Sequence, residues 1–167
     1  RSSVKEAHCK GIVYGLSGGV DTAVIAALSK LAFDDDSFAV MMPIIRCQED
    51  EKDAKLVIDK FKLNAIKVDL SKTYSIFTDS VEKGDNLMAY ANVKPRLRMT
   101  TLYYYGQLKK YLVVGTSNKS EFTVGYFTKY GDSGSDLMPL VDFTKKEIYE
   151  LARFLGVPDK IIQKPPS

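Results

Sequence analysis

Four short apolar, β-branched runs, each followed by a stretch with helical spacing, constrain this chain more than any other feature. Ile12-Val13-Tyr14-Gly15-Leu16 is the first run and ends in Ser17-Gly18-Gly19. Val24, Ala27, Leu28 and Leu31 then recur at i, i+3, i+4 and i+7, the spacing of one helix face. Phe38 to Met42 is a second buried strand, stopped by Pro43, and Ala54, Val57, Ile58 and Phe61 line a second helix. Ala65 to Leu70 reads as a third strand, residues 72–84 as a helix, Gly84-Asp85-Asn86 as a loop and residues 92–109 as a long helix. Tyr111 to Thr116 is the fourth strand. Strands alternating with crossover helices predict a doubly wound, mostly parallel α/β sheet with helices on both faces.

The remaining punctuation fits that plan. Asn118 and Glu121 have the spacing of a capping box, as do Thr144 and Glu147. Ile148, Leu151, Ala152 and Leu155 line the helix after Thr144, with Gly156 as its stop. Residues 129–138 form a polar, glycine-containing loop. In such a sheet ligands sit beyond the carboxyl ends of the strands, at a switch point. That rule selects Ser17-Gly18-Gly19, Pro43-Ile44-Ile45 and Thr116-Ser117 as one rim.

Composition narrows the function. The 167 residues are 45% hydrophobic and 27% charged, which suits one α/β domain over residues 1–167. Lys and Arg exceed Asp and Glu by 24 to 21 with no basic run, so no nucleic-acid partner is indicated. No apolar run approaches a bilayer span, so no membrane helix is expected. Two cysteines, Cys9 and Cys47, and the single His8 exclude a disulfide framework and a multi-histidine metal centre. None of the three is assigned any chemistry. The plain reading is a cytoplasmic protein. The chain starts without Met and stops at Pro165-Pro166-Ser167, and is read as the ordered part of a longer protein.

The loop Gly15-Leu16-Ser17-Gly18-Gly19-Val20-Asp21-Thr22 is the sharpest chemical signal. Paired glycines between strand and helix let backbone N–H groups point inward, and the helix adds its positive end. Ser17 and Thr22 supply hydroxyls. The loop has neither the Gly-Lys-Ser/Thr of a Walker A motif nor a G-x-G-x-x-G fingerprint. Lacking a lysine, it needs another counter-charge, and Asp21 is placed to hold Mg²⁺ between phosphates.

Ser17 to Thr22 resembles the SGGxDS pyrophosphate loop of the ATP-pyrophosphatase (PP-loop) enzymes, which cleave ATP between the α and β phosphates to adenylate a substrate. Within that group the chain resembles the ammonia-dependent NAD+ synthetases, through Lys94 to Met99, Gly115 to Glu121, Gly125 to Asp132, Asp136 to Leu140 and Lys164 to Ser167. Residues 44–90 match only in pattern.

The resemblance implies a ligase that converts deamido-NAD to NAD+ through an NAD-adenylate, with ATP as co-substrate, ammonia as nitrogen donor, and AMP and pyrophosphate released. Gly15, Leu16, Ser17, Gly18, Gly19, Val20, Asp21, Thr22, Thr116, Lys145 and Ser167 would bind ATP. Asp21 and Glu121 would hold Mg²⁺, and Arg96, Lys129 and Asp136 would hold deamido-NAD. Asp21 and Lys145 would carry the catalysis. A homodimer with the substrate near its interface is also implied, and the segment around Tyr103-Tyr104-Tyr105 is the candidate surface. The absence of a nitrilase-like glutaminase region points to free ammonia.

Plainer readings stand beside these. Glu121 also suits a cap, Lys145 a solvated helix start, and Tyr103 to Tyr105 a core. Arg96 and Arg98, two apart on a helix, face different ways. Thr22 stands where the family has Ser, and Pro95 precedes Arg96, which is tolerated at a helix start. The rival functions are another PP-loop enzyme, GMP synthetase-like or tRNA-thiolating, and a non-catalytic adenine-nucleotide sensor. The thiolating enzymes need reactive cysteines and a basic surface, and a sensor has no use for Arg96, Lys129 and Asp136 together.

Overall fold

Burial along the central strand fixes the layering. In β1 (Gly11–Gly15), Ile12 and Tyr14 belong to one apolar cluster and Val13 to another, all three at most 3% exposed. A strand buried on both sides needs a layer of cover on each. The computed structural model describes residues 1–44 and 48–165.

After a short helix α1 (Ser2–Glu6), β1 leads into α2 (Val20–Phe33), and a 3₁₀ turn at Asp34–Asp36 returns the chain to β2 (Ser37–Met41). Helix α3 (Gln48–Phe61) precedes β3 (Ala65–Lys67), followed by α4 (Ser71–Ser80) and α5 (Leu87–Lys109). Strand β4 (Tyr111–Val114) precedes α6 (Lys119–Val124), α7 (Lys145–Phe154) and α8 (Asp159–Ile162). The four strands are parallel in the order β3-β2-β1-β4, with Val13 opposite both Phe38 and Val113. The chain winds outward from β1 through β2 to β3, then crosses back to place β4 on the other side. The switch point therefore lies between the carboxyl ends of β1 and β4.

Helices α2, α3, α7 and α8 cover one face, packing Val24, Ile25, Val57, Ile148, Ala152 and Ile161 against Ile12 and Tyr14. Helix α5, joined by Tyr74 of α4, covers the other, with Leu97, Leu102 and Tyr105 against Val13, Phe38 and Val113. Each fully buried aliphatic contributes about 1.5–3 kcal/mol. Ala23 to Ala27 of α2 are all buried, as expected of a helix wedged between the sheet and other helices.

The predicted fold is the one observed, with local differences. The third strand stops at Lys67, yet Val68 N–H still donates to Met41 O at 2.8 Å and Leu70 N–H to Pro43 O at 2.9 Å. The fourth stops at Val114, and the end of the polar loop takes up its edge through Asp136 N–H to Val113 O and Gly115 N–H to Leu137 O. The helix expected over 72–84 ends at Ser80. Helix α5 begins at Leu87, capped by Asn86, so Pro95 lies inside it rather than at its start. Leu87 and Met88 are 80% and 64% exposed, so this first turn leaves no apolar periodicity to detect.

Candidate active site

At the end of β1 the chain turns sharply into α2. Gly18 makes the turn with φ +86°. A Cβ there would also lie 2.7 Å from the Asp50 carbonyl oxygen and 2.9 Å from the Ala54 nitrogen, so the turn and the packing against α3 both require glycine. Thr22 fastens the loop: its Oγ1 donates to Gly19 O at 2.9 Å and accepts from Ser17 N–H at 3.3 Å. Ser17 Oγ accepts from Gly19 N–H at 3.3 Å. Gly19 caps the 14-residue α2 without a side-chain bond, leaving the positive helix end to attract an anion. Leu16 and Val20 are 3% and 6% exposed and anchor the loop in the core.

Asp21, in the first turn of α2, meets residues from across the switch point. Asn118 Nδ2 donates to its Oδ1 at 3.0 Å, and Lys145 Nζ pairs with its Oδ2 at 2.5 Å. Asn118 is fully buried and also caps α6: its Oδ1 accepts from Glu121 N–H at 3.1 Å, while its own N–H donates to Glu121 Oε2 at 3.3 Å. Lys145 is the first residue of α7, and its N–H donates to Ser120 Oγ at 3.2 Å. It is thus an anchored cation rather than a solvated one.

Glu121 adopts the capping arrangement. Burial pushes its carboxyl above the ordinary value. The Asn118 N–H opposes that shift, the Asp21 charge adds to it, and Lys145 pulls it back. Asp21 and Glu121 both line one cavity, and carboxylates are the hard-oxygen donors that suit Mg²⁺. Among the described residues no group of three or more acidic, His or Cys side chains could hold a metal alone. An ion here would therefore complete its shell with phosphate oxygens and water, as Mg²⁺ characteristically does.

These groups line a cavity of about 490 Å³ that includes Ser17, Gly19, Asp21, Asn118, Glu121 and Lys145. A second cavity of about 300 Å³ shares Ser17 and is mainly apolar, lined by Gly15, Leu16, Met42, Leu102, Val113 and Val114, with Thr22 and Thr116 on its wall. Arg98 reaches this cavity, its Nε–H donating to Met42 O at 3.2 Å, and burial lowers its pKa against the opposing charge of Asp132.

Arg96, Lys129 and Asp136 line neither cavity. Arg96 Nε–H donates to Lys129 O at 3.2 Å. Asp136 accepts from Tyr103 O–H at 2.9 Å and from Val113 N–H at 2.7 Å. Burial and this carboxylate push the Tyr103 phenol up to about 12. Arg96 and Tyr103 are two helical turns apart, about 10.5 Å along α5. All three residues implied for deamido-NAD thus border one exposed face of that helix.

Of the residues singled out in the sequence, the structure gathers Ser17, Gly18, Gly19, Asp21, Thr22, Thr116, Glu121 and Lys145 around the paired cavities. Ser167, Ile45 and Cys47 lie outside the described residues. Asn118 and the cavity position of Arg98 were missed. Asn118 looked like a helix cap, and only the tertiary fold shows that its amide also reaches Asp21. Tyr105 stacks obliquely on Phe38 in the core, whereas Tyr104 is 63% exposed.

The NAD synthase family profile matches residues 1–167. The NH3-dependent NAD+ synthetase of Finegoldia magna is 50% identical over 167 residues, which span 100% of this chain and 69% of that protein. In three dimensions the chain is similar to the NH3-dependent NAD synthetase of Campylobacter jejuni. The TM-score is 0.92 at 36% identity, over 98% of this chain and 71% of that one. It is also similar to the NMN synthetase of Francisella tularensis, with a TM-score of 0.93 at 34% identity, over 99% of this chain and 70% of that one.

Proposed function

The chain belongs to the NAD synthase family, and on that premise we propose that it amidates deamido-NAD to NAD+ with ammonia at the expense of ATP. The observation that carries the reading is the convergence of Asp21, Asn118, Glu121 and Lys145 on one cavity at the switch point, beside an apolar cavity of about 300 Å³. The apolar cavity takes the adenosine of ATP, and the loop at the start of α2, its turn fastened by Thr22, takes the phosphates at the positive helix end. Mg²⁺ held by Asp21 and Glu121 would supply positive charge against the phosphate oxygens.

The nicotinate carboxylate oxygen of deamido-NAD attacks the α-phosphorus, and the bond from that phosphorus to the bridging oxygen breaks to release pyrophosphate. Ammonia then attacks the acyl carbon of the NAD-adenylate. The bond to the AMP oxygen breaks, and the nitrogen sheds a proton to solvent. Lys145 steadies the charge that gathers on pyrophosphate, and the remaining rate comes from holding the reactants in line.

Arg96, Lys129 and Asp136 bind deamido-NAD on the exposed face of α5. Elsewhere on that helix Tyr104 and Leu108, one turn apart, are 63% and 64% exposed, which suits burial against a second copy in a homodimer. No helix among the described residues is long and apolar enough to cross a membrane. Dependence on ATP favours the cytoplasm.

The test incubates the complete protein with ATP, Mg²⁺, ammonium and either deamido-NAD or nicotinate mononucleotide. The second substrate is prompted by the likeness to the NMN synthetase. Equal amounts of NAD+, AMP and pyrophosphate are expected from deamido-NAD. Asp21→Ala should lower the rate at least about a thousandfold, since it removes a metal ligand and the partner of Lys145. Faster amidation of the mononucleotide would overturn the substrate assignment, and nucleotide binding without pyrophosphate release would overturn the reaction.

A further inference from the structure

Opposite the phosphate loop, a carboxylate with no part in the chemistry is buried in charged company. Asp53, in the second turn of α3, is 1% exposed. Its Oδ1 pairs with Lys160 Nζ at 2.6 Å and its Oδ2 with Lys164 Nζ at 2.8 Å. Lys164 also reaches Asp50 Oδ1 at 2.6 Å. Lys160 is the second residue of α8, which buries Ile161, and Lys164 lies just beyond that helix. Asp53 therefore fastens the α8 segment onto the first turns of α3.

Those same turns support the loop. A Cβ on Gly18 would meet Asp50 O, Ala54 N and Asp53 Cβ at 2.7–2.9 Å, so the loop backbone rests directly on this part of α3. Lys164 in turn lines the cavity that holds Ser17, Gly19, Asp21 and Lys145. A buried charge is costly unless it is well paired, so a buried Asp in place of an apolar residue is a poor way merely to fill space. It does fix how two segments meet.

We propose that Asp53 is a positioning residue for ATP: through Lys160 and Lys164 it locks the α8 segment to α3, and so holds the Gly18 loop and the Lys164 ammonium at the phosphate end of the cavity. This rests on the reading of that cavity as the ATP site.

The test compares Asp53→Asn, Asp53→Glu, Lys164→Gln, Lys160→Gln and the double variant Asp53→Asn with Lys164→Gln in the complete protein. The readouts are calorimetric ATP binding, the two KM values, kcat and the melting temperature. Asp53→Asn should weaken ATP binding and raise its KM by roughly tenfold or more, with KM for deamido-NAD moving less than about twofold. Lys164→Gln should reproduce most of that effect and Lys160→Gln less, while Asp53→Glu should restore part of it. The double variant should be little worse than Asp53→Asn alone.

If Asp53→Asn fails to fold, Lys164→Gln carries the test from a partly exposed side chain. A lowered melting temperature with unchanged ATP affinity, or equal rises in both KM values, would overturn the proposal. Should the wild type bind ATP but make no NAD+, the reaction assignment fails. The calorimetric comparison still decides the role of Asp53.

Discussion

The two halves of the cleft are built by different means. The apolar half is the outer end of the fold's own core: Met42 and Val113 belong to the cluster under α5 and merely extend it beyond the strands. The polar half is a junction of helix starts. Gly19 opens α2, Asn118 opens α6 and Thr144 opens α7, so Asp21, Glu121 and Lys145 all sit in first turns. Strand ends supply shape at no cost beyond folding. Helix starts supply directed N–H groups and charge, but only if their caps agree with one another.

The polar half should therefore be fragile where it is shared and robust elsewhere, and Asn118 is the place to break it. Asn118→Ala removes the α6 cap and the amide on Asp21 together. A stability loss of about 1–2 kcal/mol is expected from the cap. A further 10–100-fold loss in kcat/KM should follow from the freed carboxylate. Asn118→Ser, which keeps a cap but cannot span to Asp21, should recover stability without recovering rate. Denaturant titration alongside steady-state kinetics checks both, and parallel recovery would mean that Asn118 acts only as a cap.

That division also explains what could be read in the sequence. The parallel sheet and both helical layers follow from apolar period and parallel connection, because the same residues that signal the elements also pack them. The order β3-β2-β1-β4 appears only in the fold. The loop at Ser17 to Thr22 was legible since glycine pairs and hydroxyls have local backbone duties. Asn118 was legible only as a cap, because its second bond spans 97 positions. Helix α5 begins at Leu87, ahead of the helix expected over 92–109, because its exposed first turn carries no apolar stripe. Arg96 and Arg98 were correctly separated by helical phase, yet which of them faces the apolar cavity depended on how α5 lies across the sheet.

Glu121→Gln sharpens the comparison by keeping geometry and removing charge. The glutamine oxygen can still accept from Asn118 N–H, so the cap survives. Because the native pKa of Glu121 is raised, the folded state holds its proton to higher pH than the unfolded chain does. Between the ordinary and the raised value the native state binds more protons, so this group's contribution to stability falls as pH rises. The variant should thus gain in melting temperature relative to wild type as pH rises above the ordinary glutamate value of about 4. Its Mn²⁺ affinity in the presence of ATP should fall by about tenfold, read by electron paramagnetic resonance. A melting difference that does not change with pH would show that the carboxyl is not strained by its surroundings.

In the apolar half a truncation should act on binding and not on chemistry. Leu102, half-buried on α5, touches both the core cluster and the cavity. Leu102→Ala should raise KM for ATP by roughly three- to tenfold through lost apolar contact, with kcat within about twofold. An equal fall in kcat would mean that the two halves are not separable.

The smallest effect is expected from Thr22→Ser, beside Ser17, which lines both cavities. The Thr22 Oγ1 is already committed to Gly19 O and Ser17 N–H, and a β-branched residue in a helix has few rotamers from which to do this. Serine can place the same oxygen but is free to leave it, so Thr22→Ser should keep kcat/KM within about twofold. The lost methyl packing should lower the melting temperature by only a few degrees, roughly 1–3 °C. Thr22→Val makes the opposite change, keeping shape and deleting the hydroxyl, and leaves Ser17 N–H and Gly19 O without that partner. It should raise KM for ATP by about tenfold, the cost of losing hydrogen bonds at a partly buried turn. If the two substitutions prove equivalent, the loop is held by packing against α3, and the hydroxyl network at its mouth is incidental.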